Sequence, residues 1–318
     1  MKRMTVGLKE MFFLLWLISM LTACSATGEG NEESTKVQVV ATTTLVGDVV
    51  QVVGGDLLNL TVMLPAGSDP HGFNPTPQDV TRAAQADVVF INGLDLEEFM
   101  TEMLENAAAD MNIVELSAHI EAIPLGEDHD DEHADEDDEH EHGEFDPHVW
   151  WNPLNVATWA DEVAEELARL DPENGAVYEA NAAAYRQELV ALDEWIKEQV
   201  AQIPAENRIL VTDHDSLGYF VDSYGFELVG TVFPGLSTQA EPSAQDLAEL
   251  TTTIRAYGVP AVFVGTTVSQ SLANQVAQET DTDIISIYTD SLSGEDGPAD
   301  TYLAFMRSNV EAIVGALK

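Results

Sequence analysis

The 318-residue chain carries 57 Asp and Glu against 12 Lys and Arg, which gives a formal net charge of −45 at pH 7. A field of that sign repels nucleic acid and attracts cations, so the composition argues against a nucleic-acid partner and favours positively charged ligands. An acidic surface can equally reflect a salty or acidic habitat. With 45% hydrophobic residues, the chain has enough apolar material for one or two globular domains.

The N-terminus has the pattern of an export signal over residues 1–23. MKRMTVGLK is basic, and EMFFLLWLISMLTA is apolar but too short to span a membrane comfortably. The residues that follow, Leu21-Thr22-Ala23-Cys24, resemble the bacterial lipobox, which implies cleavage before Cys24 and lipid attachment to it. A free thiol, or a bond to another chain, is the alternative for this single cysteine. We therefore expect an extracytoplasmic protein tethered to the membrane by lipid, with residues 24–36 as a flexible leash.

From Val37 onward, short β-branched runs alternate with helical patterns, first over residues 37–172 and again over residues 204–318. This rhythm predicts an α/β protein with two similar βα lobes. Residues 173–203 have Pro172 just before them and no further proline until Pro204, and they are rich in Ala, Glu and Leu. We expect one long rigid helix of about 42 Å there, joining the lobes and limiting how far they close.

Four side chains stand where a metal ligand could be placed. Asp-Pro-His occurs twice and ends at His71 and at His148, and in each case the proline fixes the backbone while the aspartate can orient the imidazole. His214 and Asp290 each follow an apolar strand, which is where α/β folds place ligands. Taken singly, each histidine could be a turn residue, and Asp290 could be a helix cap.

In combination the motifs resemble a known family, the solute-binding lipoproteins of bacterial zinc and manganese ABC importers. The resemblance covers almost the whole mature chain. It depends on six segments in order: DPHGFNPTPQD, DPHVWWNP, VTDHDSLGYF, GLSTQAEPSAQDLAEL, VPAVFVG and YTDSLS. It implies two α/β lobes with one metal ion in the cleft, bound by His71 and His148 from the first lobe and by His214 and Asp290 from the second. It also implies a monomer that delivers the ion to an ABC permease.

The donor types favour Zn²⁺, because three neutral imidazoles and a carboxylate satisfy a borderline-soft divalent ion. Family members tuned to manganese tend to carry a carboxylate in place of His214, so the histidine favours zinc. Mn²⁺ is the alternative cargo, because some relatives with three histidines handle both metals. Two positions depart from the family pattern. Asn152 stands where Asp is frequent, and Gly265-Thr266 stands where an acidic residue usually follows the strand. Neither is a ligand position, and both bear on the hydrogen bonds around the ligands.

Residues 127–146 are dense in acidic residues and histidine and contain no Lys or Arg. Self-repulsion and the lack of apolar residues predict a disordered loop, distinct from the ordered DPHVWW that follows it. Such a loop is familiar in the zinc-type branch of the family. Its histidines are candidates for weak auxiliary zinc binding: His129, His133, His140 and His142. The alternative is solvated low complexity without a role. His119 is expected to be a surface residue.

Two other functional classes use similar chemistry. A secreted zinc hydrolase would leave one coordination position open for water, whereas Asp290 is expected to fill it. The sequence contains neither HExxH nor GxSxG, so an enzyme is not expected. A surface adhesin or a metal buffer on the same fold stays open, because adhesion has no readable motif here.

Overall fold

The computed structural model of the chain describes residues 36–97, 111–124 and 144–318. Within them the chain forms two parallel four-stranded sheets, each with helices packed against it. This confirms the predicted fold class of two α/β lobes.

The first lobe is built on a sheet with strand order β2-β1-β3-β4. Its strands are β1 (Val37–Ala41), β2 (Leu58–Val62), β3 (Val88–Ile91) and β4 (Ile113–Glu115), and its helices are α1 (Thr44–Gly54) and α2 (Pro77–Gln85). Helix α2 begins at a reciprocal capping box between Thr76 and Asp79, with Pro77 in its first turn. Because all four strands are parallel, the loops that follow them open at the same edge of the sheet.

A helical hairpin follows, made of α3 (Pro153–Leu170) and α4 (Gly175–Val200). Asn152 caps α3 by accepting the N–H of Leu154. Helix α4 has 26 residues, which corresponds to a length of about 39 Å at 1.5 Å per residue. It packs against α3, against α1 of the first lobe and against the last helix of the second lobe.

The second lobe repeats the parallel design with strand order β6-β5-β7-β8. Its strands are β5 (Ile209–Thr212), β6 (Glu227–Thr231), β7 (Ala261–Gly265) and β8 (Asp283–Ile287), and its helices are α5 (Gly218–Tyr224), α6 (Ala244–Tyr257), α7 (Ser271–Thr280) and α8 (Tyr302–Leu317). Strand β7 is buried along its whole length, so its ends are fixed by packing on both faces.

The lobes share one hydrophobic core, in which Trp150 and Trp151 are fully buried. Hydrogen bonds join them as well. The N–H of Tyr302 donates to Asp48 of α1 at 2.9 Å, and the Tyr302 hydroxyl donates to the carbonyl of Trp150 at 2.7 Å. Within the described ranges, no helix has both the length and the apolar character needed to cross a membrane.

Candidate metal centre

The first lobe contributes two histidines from Asp-Pro-His turns. Asp69 Oδ1 accepts the backbone N–H of His71 at 2.9 Å, and Asp146 Oδ1 accepts that of His148 at the same distance. The proline between the aspartate and the histidine restricts the backbone, so each turn fixes the position of the histidine Cα and Cβ. Asp146 Oδ1 also lies 2.8 Å from the Nδ1 of His148. Nε2 of His148 is therefore the nitrogen that is available to bind a metal ion.

The second lobe contributes His214, just after β5, and Asp290, just after β8. Asp213 Oδ1 accepts the backbone N–H of His214 at 2.9 Å and lies 3.1 Å from its Nδ1. Asp290 has its two oxygens in different roles. Oδ2 accepts the hydroxyls of Thr289 at 2.5 Å and Thr267 at 3.3 Å, which leaves Oδ1 to face the histidines.

The four predicted side chains come together at one point. One ligand atom from each of His71, His148, His214 and Asp290 lies within 4.8 Å of all the others. The Nε2 atoms of His71 and His148 are 3.3 Å apart, and Asp290 Oδ1 lies 3.6 Å from His214 Nε2 and 3.9 Å from His148 Nε2. Only His71 among the four is partly exposed.

Two atoms at this point are buried without a hydrogen-bond partner among the described residues, namely His214 Nε2 and Asp290 Oδ1. Buried polar atoms in folded proteins are nearly always paired. Imidazole nitrogens and a carboxylate oxygen that lie this close together have the chemistry of a ligand set for a divalent cation.

Charge within the cluster shifts the pKa values of its members. Desolvation, followed by the nearby His148, lowers the pKa of His71 to about 3 and keeps that imidazole neutral. Desolvation also acts to lower the pKa of His214, but the carboxylates of Asp290 and Asp213 outweigh it and raise that pKa well above its usual value. Burial opposes ionisation of Asp290, yet the histidines, His214 foremost, hold its pKa well below the usual range. Protonation of His214 and ionisation of Asp290 therefore favour each other, and a metal ion at His214 Nε2 competes with the proton.

Sequence analysis missed residues that connect the lobes around the cluster. Trp150 Nε1 donates to the carbonyl of Thr289 at 3.0 Å, and its ring lies 5.2 Å from the ring of His148. The Thr238 hydroxyl donates to Asp69. The position of Trp150 two residues after His148 is a signal from which its role could have been predicted. Threonines in loops are too common for their positions to predict such a contact.

The remaining candidates lie apart from the cluster or outside the described residues. His119 has a side chain 77% exposed and contacts Glu162, in keeping with a surface residue. Cys24 and the four loop histidines fall outside the described residues: His129, His133, His140 and His142. Their roles stay predictions.

Residues 39–316 match the family described as zinc-uptake complex component A, periplasmic. The chain belongs to this family. One relative of this chain is the manganese-binding lipoprotein MntA of Halalkalibacterium halodurans. The two are 33% identical over 308 residues, which cover 96% of this chain and 97% of MntA. The manganese ABC transporter substrate-binding lipoprotein PsaA of Streptococcus pneumoniae is 31% identical over 304 residues, covering 93% and 94%.

Solved structures show the same fold. The periplasmic zinc-binding protein TroA of Treponema pallidum superposes with a TM-score of 0.77 at 30% identity, covering 89% of this chain and 99% of that one. The Mn-bound periplasmic metal-binding protein of Candidatus Liberibacter asiaticus gives 0.75 at 28% identity, covering 89% and 100%.

Membership of the zinc-uptake component family confirms the predicted family, and the chain is a binding protein rather than an enzyme. The names of its relatives divide between manganese and zinc. The predicted zinc-type branch is therefore not confirmed by them.

Proposed function

We propose that the protein is the extracytoplasmic binding component of a divalent-metal ABC importer. It carries one ion as cargo at His71, His148, His214 and Asp290 and delivers that ion to a membrane permease. The observation that carries this proposal is the convergence of four ligand atoms within 4.8 Å, with two of them buried and unpaired within the described part of the chain. The family and the metal-named relatives support it.

Zinc is the cargo that we propose. Sites of nitrogen and oxygen donors bind Zn²⁺ more tightly than Mn²⁺ in the Irving–Williams order. The hydroxyls of Thr267 and Thr289 also engage one oxygen of Asp290, so the cluster offers four donors, the number that closed zinc sites use. Manganese is the second candidate, favoured by the names of MntA and PsaA.

Metal analysis of protein purified without added metal, followed by competition between zinc and manganese, tests both levels of this proposal. We expect one tightly bound ion per chain, with manganese displaced by an equimolar amount of zinc. If no ion is bound tightly, the carrier function is wrong. If manganese stays bound against zinc, only the choice of metal is wrong.

Growth of a strain lacking the protein separates an importer component from an adhesin on the same fold. An importer component is required for growth when the metal is scarce and becomes dispensable when it is abundant. Normal growth under metal limitation, combined with loss of attachment to surfaces, would favour the adhesin.

We propose that Cys24 carries the lipid that tethers the protein, as the sequence predicts and as the lipoprotein names of its relatives support. Two acyl chains on one cysteine suffice for stable anchoring. Cys24→Ser should move the protein from the membrane fraction to the soluble fraction or leave it with an uncleaved signal. Unchanged fractionation, with no lipid found on Cys24 of the parent protein, would contradict this anchor.

A further inference from the structure

Gly265, the last residue of β7, lies between the side chains that support His214 and Asp290. Its backbone N–H donates to Asp213 Oδ2 at 2.8 Å, while the other oxygen of Asp213 holds His214. A Cβ built on Gly265 would lie 2.7 Å from Asp213 Oδ2 and closer still to the hydroxyl of Thr289. That hydroxyl donates to Asp290. The space that a side chain at position 265 would fill is thus occupied by the Asp213 carboxylate, which holds His214, and by the Thr289 hydroxyl, which holds Asp290.

The backbone conformation does not explain the glycine. Gly265 is not among the residues with positive φ, and it pairs in regular parallel register with Ile287 of β8. The β7 residues before it are Ala261, Val262, Phe263 and Val264, three of which have the apolar character that strands favour. Glycine weakens a strand and commonly marks a place where other groups approach closely. Here those groups are the Asp213 carboxylate and the Thr289 hydroxyl.

We propose that Gly265 and Asp213 are positioning residues that jointly set the placement of His214 and Asp290, so that metal affinity depends on the absence of a side chain at position 265. The proposal rests on the proposed metal-carrying function. Asp213 is fully buried, and each of its oxygens has a partner, which fixes its orientation. An imidazole whose Nδ1 is held by a carboxylate presents Nε2 to a metal in a defined direction.

The direct test is Gly265→Ala, with Gly315→Ala as the matched control. Gly315 lies on α8, is exposed, and has nothing within 4 Å of a built Cβ. We expect Gly265→Ala to weaken zinc binding at least about tenfold, the lower end of the range for residues that orient metal ligands. Gly315→Ala should bind zinc as the parent does. Zinc affinity is measured by competition with a chromophoric chelator.

A cobalt spectrum distinguishes mispositioned ligands from general loss of stability. Co²⁺ bound by four donors has visible absorption bands whose intensity and position depend on the ligand geometry. The spectrum of Gly265→Ala should therefore differ from that of the parent even when enough Co²⁺ is added to saturate the site. A variant that is merely less stable would show the parent spectrum at saturation.

Asp213 provides a second and independent set of variants. Asp213→Asn has the same shape but only one oxygen, so it cannot accept from both Gly265 and His214, and we expect about 10–100-fold weaker zinc binding. In an Asp213→Ala background, one of the two obstructing groups is gone. Adding Gly265→Ala to that background should reduce zinc affinity by a smaller factor than it does in the parent protein.

Parent affinity together with the parent cobalt spectrum in both Gly265→Ala and Asp213→Asn would overturn the proposal. Strict additivity in the double variant would overturn the joint role of the two residues. If Gly265→Ala does not fold, Asp213→Asn with its spectrum decides the question. Failure of the parent protein to hold any tight ion would contradict the proposed function instead, so the two failures are distinguishable.

Discussion

Each histidine of the cluster has an aspartate within two residues that accepts its backbone N–H, so the ligand positions depend on local turns as well as on the fold. Truncation of a ligand removes a whole bond from a closed site. Loss of a residue that orients a metal ligand weakens metal binding about 10–100-fold. We expect His148→Ala, which removes a ligand itself, to weaken zinc binding by more than that. His119→Ala is the control, because His119 lies outside the cluster. Isothermal titration with zinc measures both, and parent affinity in His148→Ala would remove His148 from the site.

Zinc affinity should fall as the pH is lowered. The carboxylates raise the pKa of His214 above its usual value, so a proton competes with the ion for this ring. His71, whose pKa is lowered to about 3, is already neutral and contributes no proton. We therefore expect zinc binding near neutral pH to release a measurable number of protons, with His214 as a source. Titrations in buffers of different ionisation enthalpy measure that number, and a value near zero would show that His214 is neutral before binding.

At the scale of elements, α8 begins against a partly buried carboxylate. Asp48 accepts the N–H of Tyr302, a favourable position for negative charge at a helix N-terminus, yet burial raises the pKa of Asp48 to about 6. The folded state then binds more protons than the unfolded state, so the stabilising contribution of this group is present below its unfolded value of 3.8 and is lost as the pH rises through about 6. Asp48→Asn keeps an acceptor for Tyr302 and should raise the free energy of unfolding by about 1–3 kcal/mol at pH 8.

Urea unfolding of metal-free Asp48→Asn at pH 8 and at pH 4 measures this difference. The gain should be much smaller at pH 4, close to the unfolded value of 3.8, where the folded carboxyl is almost fully protonated and the unfolded one partly so. Asp56→Asn, at an exposed position, serves as the control and should leave the free energy of unfolding unchanged at both pH values. An equal gain for Asp48→Asn at the two pH values would mean that ionisation is not its cause.

The acidic, histidine-rich segment should be removable without loss of the tight site. Its flanks meet in the fold, because Pro124 pairs with Phe145 and the N–H of Asp146 donates to the carbonyl of Ile123. Deletion of residues 127–144 therefore leaves ends that a short turn can join. We expect zinc titration of the parent to show one tight event and weaker ones, with only the tight event surviving deletion. Loss of the tight event would mean that the segment supplies a ligand.

The parts of the fold and site that sequence reasoning could predict are those encoded locally. The two Asp-Pro-His turns and the strand-end positions of His214 and Asp290 are visible in short segments, and the alternation of strands and helices indicates the two lobes. The alternation of strands and helices does not predict helix α3, although Asn152 and Pro153 carry a helix start signal. The contact of Trp150 with Thr289 and the crowding at Gly265 join residues far apart in the chain. No local pattern predicts them, because they exist only after the lobes have packed.

At the scale of the whole molecule, the net charge of −45 should make stability depend on salt. Self-repulsion disfavours the compact state, and the screening length falls from about 30 Å at 0.01 M salt to about 3 Å at 1 M. We expect the thermal midpoint of the metal-free protein to rise with NaCl concentration. Differential scanning calorimetry measures this rise. An equal rise in sucrose of matched osmolality would assign the effect to solute exclusion instead of charge screening.

The four converging side chains come in equal numbers from the two lobes, His71 and His148 from one and His214 and Asp290 from the other. Each lobe alone is only a two-donor chelator. The fold holds the two halves at a high effective concentration, in the way that a linker strengthens a bivalent ligand. Retention of the ion then depends on the separation between the halves. Under the proposed function, a permease that increases this separation starts unloading without a competing ligand of its own. A displacement of one half by about an ångström exceeds the roughly 0.5 Å within which a binding constellation must be held, and so weakens the grip on the ion.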